Sequence, residues 1–235
     1  MAVVHGIGVQ GKQKSNSERD LHTRMPKYLN IPVKPHFFDT VRYHKQSGKS
    51  KLVTGAIICP HDILGALHRH SRLLYYVLGA RDQWVAFWKA NAQETWFVEH
   101  PDRAAMERSP WLYAPFLIFG DDAQTCKRVG SNVKLLCWFS PVSEARESFH
   151  RLLPIYMCPT KERNTLAIQR RAEVSAVWSF EAAARNKNPQ VSDLGGPLCA
   201  ERERVAGNDI CEDTPVFLTY AGNCGDWKWQ VEQCP

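Results

Sequence analysis

At 235 residues, 44% of them hydrophobic and with a formal net charge of +6, the chain reads as globular and soluble, either one large domain or a compact domain with an extension. No apolar run approaches the roughly 20 residues of a bilayer span, and Met1–Gly6 lacks the basic lead and apolar core of a signal peptide, so no membrane partner is expected. The eight cysteines form no C-x-x-C pair, which points to an intracellular protein with reduced, largely structural thiols rather than a secreted disulfide scaffold or a zinc-binding module.

Residues 1–60 are expected to be a basic arm, partly extended or disordered. Lys12, Lys14, Arg19, Arg24, Lys27, Lys34, Arg42, Lys45, Lys49 and Lys51 face only Glu18, Asp20 and Asp39 over its first 52 positions, a balance suited to phosphate contacts. The run Gly6-Ile7-Gly8-Val9-Gln10-Gly11 matches a dinucleotide fingerprint literally. The segment after it holds one large aliphatic residue, Leu21, too few for the helix that the fingerprint requires. Prolines 26, 32 and 35 and the 46–50 stretch suggest extended pieces and a turn, docked through Phe37, Phe38, Val41 and Tyr43.

Residues 61–105 read as a helical region. Ile63, Leu64, Leu67, Leu74, Val77 and Leu78 share one helical face, and a second helix is expected from Arg81 to about Glu94, with Trp84, Phe87 and Trp88 on one side. His68, Arg69, His70 and Arg72 line a polar side, read as a solvated face ahead of a phosphate site. A polar link is expected over 102–109.

From 106 to 235 the pattern changes. Pro115-Phe116-Leu117-Ile118-Phe119-Gly120 reads as a strand delivering Asp121 and Asp122 at its C-terminal end. A loop with Lys127 and Arg128 follows, then strands over 133–140 and 149–158, the latter an edge because of Pro154. A long helix runs from Thr160 to near Asn186, with Leu166, Ala167, Val174, Val177 and Trp178 as its apolar positions. A last strand starts at Val216 and leads into Gly225-Asp226. Three strands on short turns form a meander, and a right-handed helical crossover then makes the fourth strand parallel to the first. That arrangement sets Asp121 and Asp226 side by side.

The order strand, strand, strand, helix, strand resembles the ribonuclease H-like mixed α/β fold of DDE/DDD transposases, integrases and related nucleases. Trp96-Phe97-Val98-Glu99-His100-Pro101, the Gly120-Asp121-Asp122 strand end, Cys137-Trp138-Phe139-Ser140 and Gly225-Asp226-Trp227-Lys228-Trp229 resemble transposon-encoded proteins related at the domain level to Plavaka-type transposases. The resemblance implies metal-dependent DNA strand transfer or cleavage, in which two Mg²⁺ (or Mn²⁺) ions activate the attacking oxygen and stabilise the leaving one. Asp121 would bridge the ions and Asp226 would bind one, with Asp122 as substitute if the register moves by one. Lys127, Arg128, Lys228 and Trp227 are the implied nucleic-acid contacts, although tryptophans such as Trp227 and Trp229 also serve as core anchors. The resemblance implies DNA as partner, the nucleus as place of action and room for an oligomer.

One departure weakens the enzyme reading. The family's third acidic ligand comes from a helix well beyond the second aspartate, and this sequence stops nine positions after Asp226, with Glu232 as its last acid. A truncated copy, weakly active or inactive by itself, is therefore expected. The alternatives are a non-catalytic nucleic-acid-binding module and an inactive fragment. A serine hydrolase is disfavoured because no G-x-S-x-G occurs.

Overall fold

The structure, a computed structural model, describes residues 33–44, 48–126, 131–146, 151–159 and 165–225. It begins with a hairpin of β1 (His36–His44) and β2 (Lys49–Ile57), paired from His36 opposite Ile57 to His44 opposite Lys49. Phe38 stands opposite Gly55, and a Cβ on Gly55 would lie 2.5 Å from its ring. The missing side chain is what lets the ring lie on the strand. The guanidinium of Arg171 sits 5.3 Å from the centre of the same ring.

The helical region follows, but in more pieces than periodicity suggests: α1 (Pro60–His68), α2 (Ser71–Leu78), α3 (Arg81–Ala90), α4 (Thr95–Val98) and α5 (Arg103–Arg108). The apolar face expected over 61–78 is real, with Ile63, Leu64, Leu67, Leu74, Val77 and Leu78 all buried. It is shared by two helices that break at Arg69-His70, because one stripe specifies which side is buried and not whether the backbone is continuous. The 102–109 link contains α5, anchored by the buried Met106. Gly79 ends α2 with φ +84°, and its N–H donates to the Tyr75 carbonyl at 2.9 Å. Trp84 and Trp88 on α3 bury their rings and send their indole N–H groups to the carbonyls of Leu78 and Tyr113, each at 2.8 Å.

The second half of the chain builds a mixed sheet from β3 (Tyr113–Cys126), β4 (Ser131–Phe139), β5 (Leu153–Pro159) and β6 (Phe217–Gly225), in the spatial order β5-β4-β3-β6. β3 is antiparallel to β4 and β4 to β5, while β6 is parallel to β3. The helix α6 (Thr165–Arg185) carries the chain between β5 and β6 and packs on the sheet, and the short α7 (Ala200–Glu203) lies in the long connection after it. The expected strand, strand, strand, helix, parallel strand order is therefore present in a mixed α/β fold with a separate two-stranded sheet.

The face that α6 buries differs from the one expected. Ala172, Ser175, Ala176, Ser179 and Ala183 point inward, whereas Val174 and Val177 are 47% and 57% exposed. Small inward residues let the helix axis come close to the sheet, and the space left is filled by Phe180, stacked on Phe116 at 4.4 Å with Trp138 edge-on to both. One contiguous core runs from Phe38 and Ile57 through Leu64, Trp84 and Trp138 to Leu218. The Ile58 N–H donates to the Ile155 carbonyl at 2.9 Å, tying the end of the hairpin to β5.

Candidate functional site

The β3–β6 pair is where sequence reasoning places the chemistry. The two strands run in parallel register from Tyr113 opposite Phe217 to Gly120 opposite Gly225, with one irregularity between Phe116 and Leu117 where β6 passes from Tyr220 to Gly222. Gly222 takes φ +143° there, a conformation that favours glycine. The two Gly-Asp steps of the sequence are thus in register up to their glycines. Asp121 does not end its strand: β3 runs on to Cys126, with Asp121 opposite Leu135 and Asp122 opposite Lys134 on β4. The β4 partner keeps the extended backbone going, so the glycine is not a terminator. Asp121 is half-buried. Asp226, Trp227, Lys228, Lys127 and Arg128 lie outside the described residues.

The expectation of a two-ion Mg²⁺ or Mn²⁺ centre is overturned among the described residues, where no group of three or more His, Cys, Asp or Glu side chains converges to hold a metal ion. Hard divalent ions need several oxygen donors converging on one point. Around Asp121 the described strands offer Leu135 and Leu136 on β4 and Asn223 and Cys224 on β6, and burial pushes the Cys224 thiol up from its ordinary value. This donor set does not fit the ions.

The chemistry-bearing side chains that do converge lie elsewhere, where α1, α6 and the 187–211 connection meet. His61, 1% exposed, has Nδ1 2.7 Å from Ser179 Oγ, and its backbone N–H donates to the same oxygen at 3.1 Å. On its other side Arg202 Nη1 lies 2.8 Å from His61 Nε2. A guanidinium has no acceptor, so Nε2 accepts and the ring proton sits on Nδ1, donating to Ser179. Arg202 also grips Asp62 through Nη2 at 2.7 Å and Nη1 at 3.3 Å, approaches Cys59 Sγ at 3.6 Å and stands 5.5 Å from the centre of the Trp178 ring.

A second group adjoins it. Asp193 accepts from Arg171 Nη2 at 2.7 Å, from Ser175 and from His36 Nε2 at 3.2 Å, and the Trp178 indole N–H donates to the Val191 carbonyl at 3.0 Å. Burial raises the Asp193 carboxyl, but the hydrogen bonds from Ser175, Arg171 and His36 outweigh it and hold the group below its usual value. Burial is also the main force on His61, pushing it down to about 4; Asp62 opposes that shift, and Arg202 and His36 add to it. Burial drives the Cys59 thiol far above its ordinary range, with Asp62 adding to the effect.

Side by side, a serine, a histidine and an aspartate suggest a hydrolase. The geometry excludes one. His61 donates to Ser179, so it cannot take that hydroxyl's proton, its other nitrogen is blocked by Arg202, and Ser179 is fully buried. The cluster is a polar clasp that fastens the 187–211 connection across α1 and α6. In sequence, Cys59-Pro60-His61 is too isolated to form a ligand set. Its partners Ser179 and Arg202 are 118 and 141 positions away, and no local spacing signals them.

No family model, curated protein or solved structure matches the chain.

Proposed function

We propose that this chain is a transposase-derived protein with a ribonuclease H-like core that holds DNA without cutting it. The observation that carries the reading is the mixed sheet itself, in which a three-strand meander, a helical crossover and a parallel fourth strand bring Gly120 and Gly225 opposite one another. Each glycine is followed in sequence by one of the two aspartates that the resemblance singles out. The lack of converging carboxylates among the described residues favours the binding role over the cutting one. The net charge of +6 suits a polyanionic partner, and such a protein would work in the nucleus.

The test is direct. Fluorescence anisotropy with a labelled duplex should give binding whose affinity falls steeply as salt is raised, while supercoiled plasmid incubated with the protein should stay intact. Absence of binding at low salt removes the proposal. Plasmid nicking that Asp121→Asn abolishes would replace it with an enzyme.

A further inference from the structure

We infer that the outer face of α6 is the interface of a two-fold dimer of this chain, in which α6 packs antiparallel on α6 of a second copy. The inference goes beyond DNA binding and stands without it. Along α6 the positions Ala167, Arg170, Val174, Val177, Glu181 and Ala184 recur at alternating steps of three and four, the spacing that gathers side chains into one stripe along a helix. The first five are exposed and Ala184 is half-buried. The sheet takes the opposite side of the helix through Ala172, Ala176 and Ala183.

At the middle of the stripe stand Val174 and Val177, both open to solvent. A single exposed apolar residue is ordinary, but these two have company. The Trp178 indole N–H donates to the Val191 carbonyl at 3.0 Å, and Asp193 accepts from Arg171 and Ser175, so the 187–211 connection runs alongside α6 at this height. It brings Val191 and Leu194, 51% and 72% exposed, to the flank of the stripe. Valine on a solvated helix face is also a poorer helix former than Ala, Glu or Lys, so the pair gains from being covered.

The charges select the occupant and its direction. The midpoint of the stripe lies between Ser175 and Ala176, the middle of the helix. A two-fold axis at that point sets Val174 against Val177 of the second copy, Arg170 against its Glu181 and Ala167 against its Ala184, and the symmetry repeats each pair. Ion pairs then flank the apolar centre, small residues close both ends, and α6 overlaps its mate over its whole length of about 31 Å. A parallel arrangement would instead oppose Arg170 to Arg170 and Glu181 to Glu181. Within its own chain Glu181 meets Arg185 at 3.6 Å, with both side chains more than half exposed. Such a pair is worth little and exchanges readily for the intermolecular one.

Sedimentation equilibrium of the full chain without DNA, over about 5 to 500 μM, tests this, because one helix pair is a small interface whose dissociation constant should be on the order of 10 to 100 μM. The mass should rise from the 26.8 kDa of one chain toward twice that value. Arg170→Glu and Glu181→Arg each set like charges opposite one another at two places, and each should weaken the dimer about 10-fold or more. Mixed in equal amounts, the two variants should form a heterodimer near wild-type strength, because both contacts regain opposite charges. Val174→Lys/Val177→Lys should stay monomeric with its urea midpoint unchanged, since both positions are exposed. A wild type that keeps the mass of one chain overturns the inference, whether or not it binds DNA. Dimerisation that the charge variants leave unchanged overturns this face as its interface. Weakened single variants that do not recover on mixing overturn the antiparallel register.

Discussion

Arg202 donates a hydrogen bond to the Nε2 of His61 at 2.8 Å, and that contact adds to the burial that keeps the imidazole neutral. A proton on Nε2 would set two donors face to face in a buried site. His61 in the folded chain is pushed down to about 4 from the ordinary 6.5, so over the interval between these values the unfolded chain binds a proton that the folded chain does not. The stability this group confers is complete above pH 6.5 and is lost as pH falls toward 4, with about 2 kcal/mol gone between pH 8 and pH 5. Urea unfolding at the two pH values should show the loss. In His61→Gln, which can accept from Arg202 and does not titrate, the loss should be smaller by about that amount. An equal pH dependence in the two proteins would dismiss His61 as its source.

Removing Arg202 should act on the same clasp in a different way. Its side chain is 19% exposed and that of its partner Asp62 is 28% exposed, so Arg202→Met leaves a carboxylate and an imidazole nitrogen short of solvent and without their donor. A loss of about 2 to 3 kcal/mol is expected, below the range for wholly buried pairs because Asp62 keeps some water. The His61 resonance in a proton NMR titration should move upward in pH, since one of the charges depressing it has gone. A fall in stability with no upward movement would mean that burial alone sets the His61 value.

The contrast between the core sheet and this clasp explains what a sequence can disclose. Apolar runs at 116–119, 133–139 and 216–220 have the length and punctuation of strands, and the chirality of the crossover then orders them. Those are local signals followed by a general rule. Where the reading failed, the information was not local. Val174 and Val177 are as apolar as any core residue, yet the small face of α6 wins the sheet because Phe180, Phe116 and Trp138 need the helix close. Asp121 follows a glycine that looks like a terminator, but pairing with β4 carries the strand to Cys126. The clasp joins residues 118 to 141 positions apart, each an ordinary surface type when read alone.

Two glycines with similar positive φ should respond differently to substitution. Gly79 has φ +84° and Gly195 has φ +76°. A Cβ on Gly79 would lie 2.5 Å from the Val142 carbonyl oxygen, in a turn where the Leu78 carbonyl accepts from both Trp84 and Ser140, whereas a Cβ on Gly195 meets nothing within 4 Å. Gly195→Ala should cost about 1 kcal/mol, the left-handed strain alone. Gly79→Ala adds a backbone collision and should cost about 3 kcal/mol or more. Urea midpoints of the two variants measure the difference, and equal losses would show that α2 and the 140–143 turn separate without penalty.

The thiols offer a further check on how the core is sealed. Cys199 is exposed at the start of α7, while Cys59, Cys137 and Cys211 are buried. Burial pushes Cys137 up to about 12 and Cys211 up to about 12 as well, the latter against a lowering backbone hydrogen bond at Val216. Alkylation requires the thiolate, and a rise of about three units reduces its fraction near pH 8 by about 10³ even before access is restricted. With iodoacetamide and peptide mass spectrometry, Cys199 should therefore label within minutes, and the three buried thiols should label only at the rate of unfolding. Cys59 carries the added test: its cover is the clasp, so lowering the pH to 5, then returning to pH 8 in reagent, should leave it protected if the release is reversible. Arg202→Met should label Cys59 faster than Cys137, because the guanidinium 3.6 Å from its sulfur is part of what closes that site. Equal labelling of the two would place the seal in the apolar core and not in Arg202.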